Sequence, residues 1–184
     1  MTALLAHPVA LDLSENPPCV ISAERAARTL TVSQAVVPDV ATISELIGLW
    51  AQRGLTVDRG QADIATHLRG FKVASCEAEN GEYVTVACGA VQEIEHGLAE
   101  VRSIAVDPDA PKVGAGRRIV LSLIESARDR GLETLVLLTK APMFFERCGF
   151  SEVATHSLPR VYREDYLCAL GRTIEGRVAM TLRL

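Results

Sequence analysis

The sequence predicts a single mixed α/β domain, and three observations carry that reading. Short stretches rich in β-branched residues alternate or run apolar, as strands do. Between them lie segments whose apolar residues recur three and four apart, as on helices. The two textures follow one another with no internal repeat and no low-complexity linker. A chain of 184 residues, 48% hydrophobic and 23% charged, suffices for one domain with a substantial core.

Residues 1–25 hold Pro8, Pro17 and Pro18 and no sustained period, so they read as a loose N-terminal extension, leaving 26–184 as the domain. The stretch Arg28–Ala35 alternates like a half-buried strand. After Pro38-Asp39, the spacing of Val40, Ile43, Leu46, Ile47 and Trp50 predicts a helix, with Gly54 where it would end. A shorter helix fits Gln61–Leu68. Two strands follow, Phe71–Glu77 and Glu82–Ile94, joined through Asn80-Gly81, a strong hairpin signal. A third strand of this run covers Ala99–Val106. Next come Asp107-Pro108-Asp109, a glycine-bearing loop and an amphipathic helix over about residues 116–130, stopped by Gly131. Thr134–Thr139 reads as a buried strand and Pro142–Arg147 as a short helix, with closing strands at Phe150–Thr155 and Val178–Leu184.

The formal charge of −4, with no block of like charge, argues against nucleic acid or an acidic membrane as partner. Five cysteines without a CxxC pair read as free thiols in a reducing cytoplasm, and four histidines show no metal-ligand spacing. There is no apolar run of about 18 residues, the minimum for a membrane helix. The first residues lack the basic start of a signal peptide. The chain therefore reads as cytoplasmic and metal-free.

The segment that carries chemistry is EVRSIAVDPDAPKVGAG, Glu100–Gly116. A strand ends at Val106, and a loop with Gly114 and Gly116 opens a helix. The unpaired N–H groups and partial positive charge of a helix N-terminus attract phosphate. Taken alone, GxG serves a tight helix start as well as a ligand. Ile119 occupies the third position of GxGxxG, and no Walker pattern is present, so spacing gives a candidate phosphate cradle and no more.

The string VRSIAVDPDAPKVGAGRRIVLSLIESARDRG resembles motif A of the GNAT superfamily of N-acetyltransferases, whose Q/R-x-x-G-x-G/A loop falls on Pro111–Gly116. Phe144–Phe150 resembles that family's F-[FY]-E-R-x-G-F segment, and the resemblance covers roughly residues 28–184. Within the family the chain is most similar to the short stand-alone amino-acid N-acetyltransferases of the N-acetylglutamate synthase type. GLTVDRG (54–60) resembles that group's G-x-L-x-x-R stretch, AEVRSIAVDP its A-E-[LI]-R-S-[LI]-A-V strand, and LPRVYREDY…VAMTLRL its closing segment.

The resemblance implies a splayed mixed sheet with helices on both faces and acetyl-CoA, the acetyl donor, in the gap between strands 99–106 and 134–139. Backbone groups of Ile104, Ala105 and Val106 would meet the pantetheine arm, with the Ile104 N–H polarising the thioester carbonyl. The pyrophosphate would rest on Lys112, Val113, Gly114, Ala115, Gly116 and Arg117. Phe144 and Phe145 would flank the CoA side.

An ammonium has no lone pair, so a base must first deprotonate the acceptor amine. The match to the synthase strand puts Glu100 there; its plain alternative is a solvated carboxylate. Strict alternation sets Glu100, Arg102 and Ile104 on one face, so Arg102 is either an ion-pair partner or a pocket wall. A dicarboxylate acceptor calls for arginines. Arg59 is placed by motif, and Arg172 or Arg177 by the closing segment; each reads equally as a solvated surface arginine. Pro111 departs from the family's Gln or Arg, and Lys112 stands where many members have glycine. Phe145 replaces a tyrosine proposed to protonate the leaving thiolate, leaving Tyr162 and Tyr166 as fallback donors. Cys148 reads as packing.

These features imply an N-acetyltransferase acting on an amino acid, with L-glutamate and the first step of arginine biosynthesis foremost. The alternatives are another small-molecule or protein amine, and a CoA-binding module without turnover. The resemblance also allows a homodimer, for which the sequence carries no signal of its own.

Overall fold

A computed structural model describes residues 30–78 and 81–184. The expected extension over 1–25, Arg28-Thr29 of the opening strand and Glu79-Asn80 of the hairpin lie outside the described residues. Seven strands form one sheet: β1 (Leu30–Gln34), β2 (Phe71–Glu77), β3 (Tyr83–Glu95), β4 (Leu98–Val106), β5 (Thr134–Thr139), β6 (Ser151–Glu152) and β7 (Val178–Arg183), in the spatial order β1-β2-β3-β4-β5-β7-β6. Every neighbouring pair is antiparallel except β4 and β5. That parallel pair is joined by the crossover helix α3 (Ala115–Asp129), as a parallel connection requires. The mixed α/β class, with helices on both faces of a mixed sheet, is the one the sequence predicts.

Each face buries its own apolar layer. Helix α3 presents Ile119, Val120, Leu123 and Ile124 to Ala99, Val101, Leu135 and Leu137 of the sheet. On the opposite face α1 (Val40–Ala51) and α2 (Gln61–Thr66) cover Val73, Cys88, Ala90 and Ala105 with Ile43, Ile47 and Ile64. Further along that face a π-helical stretch, Val161–Tyr166, runs into α5 (Leu167–Ala169) and covers Leu98, Val136 and Leu138. The short α4 (Pro142–Glu146) follows β5.

Two expectations need correction. The closing strand expected over 150–155 is reduced to Ser151–Glu152, because Thr155–Ser157 turns in a 3-10 helix ahead of Pro159. The second helix ends at Thr66 rather than Leu68, and Leu68–Gly70 turns into β2.

Strand β4 also departs from strict alternation. Its register on β3 shifts between Cys88 and Ala90, and Ser103 carries a positive φ of 57°. This β-bulge places one extra residue on β4. Beyond it Ile104 and Val106 pack with the α3 layer and Ala105 with the α1 layer. Ile104 therefore does not share a face with Glu100 and Arg102, as regular alternation had it. Gly89 faces the bulge, and a Cβ there would lie 2.4 Å from Ile104 Cδ1 and 2.6 Å from Ile119 Cγ2. Overpacking of this kind costs about 1–3 kcal/mol. Gly89→Val is expected to lower the denaturation midpoint by that order in a urea titration, with the slope unchanged.

Candidate active site

Strands β4 and β5 stay paired for three residues only, Leu98 with Thr134, Ala99 with Leu135 and Glu100 with Val136. Beyond Glu100 they part, and the gap is a cleft of about 250 Å³. Its β4 wall carries Val101, Arg102, Ser103, Ile104 and Val106; its β5 wall carries Leu137, Leu138 and Thr139. Trp50 from α1 closes one side, donating its Nε1–H to the Val106 carbonyl at 2.7 Å. Lys140 ties the mouth by donating to the Gly54 carbonyl at 2.8 Å.

Phe144 and Phe145 both reach the cleft, packed edge to face at 4.9 Å between ring centroids. Ala105 turns away to the α1 layer. At the glycine loop, Gly114 caps α3 in a left-handed conformation, φ 78°, that a side chain would strain. Arg118 is the first N–H of α3 to find a helical partner, the Gly114 carbonyl at 3.0 Å. The N–H groups of Ala115, Gly116 and Arg117 are thus unpaired within the helix, an arrangement suited to an anion. The Val113 N–H, expected to join them, is already taken by the Pro111 carbonyl at 2.7 Å. Lys112 is exposed in the same loop.

Glu100 stands at the vertex and is fully buried, behind the cleft wall rather than in it. Removing a carboxylate from water is expensive unless it is paired and hydrogen-bonded. Here the Tyr162 hydroxyl donates to Oε1 at 2.8 Å and the Tyr166 hydroxyl to Oε2 at 3.2 Å. Arg172 Nη1 lies 2.7 Å from Oε1 and 2.8 Å from Oε2. The solvated-carboxylate alternative for Glu100 is therefore set aside. Burial and then the charge of Glu100 push both tyrosine hydroxyls upward, so they are neutral donors. Burial opposes the charge of Arg172, but Glu100 outweighs it and holds that guanidinium above its ordinary value.

Arg102 is a pocket wall, not the ion-pair partner of Glu100. It donates from Nη1 to the Tyr166 hydroxyl at 3.0 Å and from Nη2 to Gln92 Oε1 at 3.2 Å, while its buried Nε has no partner among the described residues. Burial pulls it below the ordinary arginine value. Arg59 donates from Nε to Ser103 Oγ at 2.9 Å and from Nη1 to Asp63 Oδ2 at 2.6 Å. Asp63 is raised by burial but brought below its ordinary value overall by Arg59. Arg172 and Arg177 both line the cleft, so the structure brings together all four expected arginines. Among the described residues no acidic side chain lines it. Cys148 is buried against the α3 layer with its thiol raised by burial, as a packing residue should be.

Four contributors were not assigned these roles from sequence. Ser103 orients Arg59 only because the bulge turns it there. Trp50 reads in sequence as an ordinary apolar helix position. Tyr162 and Tyr166 are stacked, with ring centroids 5.8 Å apart, and act on Glu100 rather than on a leaving group. Their spacing of four residues is a signal that one face of the tail carries both hydroxyls.

The profile of the acetyltransferase (GNAT) family matches residues 45–150. An amino-acid acetyltransferase of Mycobacterium tuberculosis is 32% identical over 122 residues, covering 66% of this chain and 68% of that protein. One from Neisseria meningitidis is 28% identical over 138 residues, 74% of this chain but 31% of that longer protein. Among solved structures, a Mycobacterium tuberculosis protein in complex with CoA superposes with TM-score 0.70 and 27% identity, covering 84% of this chain and 99% of that one. The N-acetylglutamate synthase of Neisseria gonorrhoeae, complexed with coenzyme A and N-acetyl-glutamate, gives TM-score 0.71 at 25% identity, covering 85% of this chain and 35% of that one. The chain thus spans about a third of the length of its Neisseria relatives.

Two outcomes are expected. Tyr162→Phe leaves a buried carboxylate one donor short and should destabilise the chain by about 1.5–3 kcal/mol, read by urea denaturation. Iodoacetamide on the folded chain should label exposed Cys168 and spare Cys76, Cys88 and Cys148, as mapped by peptide mass spectrometry.

Proposed function

Since the chain belongs to the GNAT acetyltransferase family, we propose that it is an acetyl-CoA-dependent N-acetyltransferase whose acceptor is L-glutamate, the first step of arginine biosynthesis. Residues 26–184 are the catalytic domain in this reading. One observation carries the acceptor class: Arg59, Arg102, Arg172, Arg177 and Lys140 all line the cleft, and among the described residues no carboxylate does. A cationic polyamine or aminoglycoside would enter against those charges, whereas a dicarboxylate meets paired donors. The buried, unpartnered Nε of Arg102 supports the same reading, since an orphaned buried donor calls for an acceptor. The names of the relatives point the same way, toward an amino acid and, in the Neisseria gonorrhoeae structure, N-acetyl-glutamate.

The reaction follows from the parts. Glu100, behind the cleft wall, receives a proton from the ammonium of the acceptor through an intervening water, which frees the nitrogen lone pair. The nitrogen attacks the thioester carbonyl carbon, and the backbone N–H of Ile104, beyond the bulge, steadies the oxygen that gains charge. The C–S bond breaks as the nitrogen gives up the second proton it carried into the tetrahedral intermediate, which leaves the amide N–C bond and the CoA thiolate. Phe145 has no proton to offer, so the thiolate takes that nitrogen proton through water, and Glu100 returns its own proton to solvent. The N–H groups of Gly114–Arg117 hold the CoA pyrophosphate, with Lys112 beside them and Phe144 against the arm. Holding both substrates in one cleft makes a covalent acyl-enzyme unnecessary.

Thiol release from acetyl-CoA, measured across amino acids, polyamines and amine drugs, tests the reading. Release is expected with L-glutamate or a near analogue. Arg59→Gln should raise KM for that acceptor by about tenfold or more, with a smaller effect on KM for acetyl-CoA. Release with a cationic amine instead overturns the acceptor; CoA binding without release on any amine overturns catalysis.

A further inference from the structure

The Glu100 that must receive a proton is fully engaged by Arg172 and two tyrosine hydroxyls. A base so held needs a partner to withdraw. The three partners are not equivalent. Tyr162 is completely buried and Tyr166 is stacked on it, both on a packed helical stretch. Arg172 stands on the loop between α5 and β7, lines the cleft, and uses only Nη1 on Glu100; among the described residues its Nε and Nη2 have no partner. It is the one group that touches both the buried acid and the acceptor's space.

We propose that Arg172 is shared between Glu100 and the acceptor's α-carboxylate, so that seating the acceptor draws the cation off the base and makes it competent. This rests on the reading of Glu100 as base and of the acceptor as an acidic amino acid. The chemistry of an α-amino acid supports the pairing: its amine and α-carboxylate sit on the same carbon. The group that takes the amine's proton and the group that holds that carboxylate must therefore be neighbours. Glu100 and Arg172 are neighbours, at 2.7 Å. Tyr162 and Tyr166 keep Glu100 hydrogen-bonded when Arg172 turns outward, and the free Arg102 Nε is a second donor for the arriving carboxylate. A carboxylate that only anchored the substrate would contribute equally before and during reaction. A carboxylate that also releases the base contributes to kcat itself.

The test compares L-glutamate with its α-carboxamide on the wild-type enzyme, on Arg172→Gln and on Glu100→Gln, using thiol release for turnover and calorimetry with CoA bound for affinity. With the wild type, the α-carboxamide should lower kcat by about tenfold or more in addition to raising KM. With Arg172→Gln, where no cation is left to withdraw from Glu100, kcat should be equal for the two acceptors and no lower than that of the wild type with the α-carboxamide. With Glu100→Gln, turnover should fall while L-glutamate binds several-fold more tightly, because the competing acid is gone. If the wild type turns over L-glutamate but the α-carboxamide changes only KM, or Glu100→Gln binds L-glutamate no more tightly, the sharing is overturned and the acceptor stands. If the wild type turns over no acidic amino acid, the acceptor assignment falls and the sharing falls with it. The wild-type comparison needs no variant to fold.

Discussion

Strands β4 and β5 cannot both be fully paired and admit a ligand between them, and the fold resolves that conflict by ending their ladder after Glu100 and Val136. Backbone N–H and C=O groups left facing a gap are costly unless something meets them. The structure meets them in several ways. Trp50 takes the Val106 carbonyl, the bulge at Ser103 redirects the strand, and Lys140 ties the mouth to the Gly54 carbonyl. The flanking strands β3 and β7 hold the two halves apart by pairing with β4 and β5 on their outer edges. The cleft is therefore a property of the sheet rather than of a loop.

The charges obey the same geometry. At the vertex there is no water to solvate a carboxylate, so Glu100 is surrounded by donors from the chain's tail, seventy-two residues further on for Arg172. Arg59 is handled likewise from the other side, between Asp63 and the hydroxyl of Ser103. Neutralised pairs lie just behind the wall and guanidinium edges face inward. A local excess of positive charge results in a protein whose overall charge is −4. Net charge speaks to solubility and long-range partners; the cleft is governed by which side chains the splay exposes.

The regular elements were legible in the sequence because their signals are local. The strand 71–77 and the strand 134–139 match the expected bounds, and α3 lies within a residue of them, since periodicity and flanking glycines are read within a single turn. Motif resemblance pointed to Arg59 and Glu100, whereas Arg172 and Arg177 were drawn only from the closing segment. The bulge was not legible, because nothing in RSIAV announces that Ser103 adopts a positive φ; the room for it lies across the ladder at Gly89. The partners of Glu100 were hidden for a similar reason. Tyr162, Tyr166 and Arg172 meet it only through tertiary closure of a tail whose π-helical turn has no periodicity signature. The strand expected over 150–155 was overextended because Val153 and Thr155 are β-branched, yet the chain curls from Thr155 to Ser157 ahead of Pro159.

The chain contains a single tryptophan, and its indole N–H occupies a carbonyl on the open edge of β4. A ligand lying along that edge as an extra strand would meet a carbonyl with one lone pair already held by the indole, so the end of its ladder would be shared with a side chain of the protein itself.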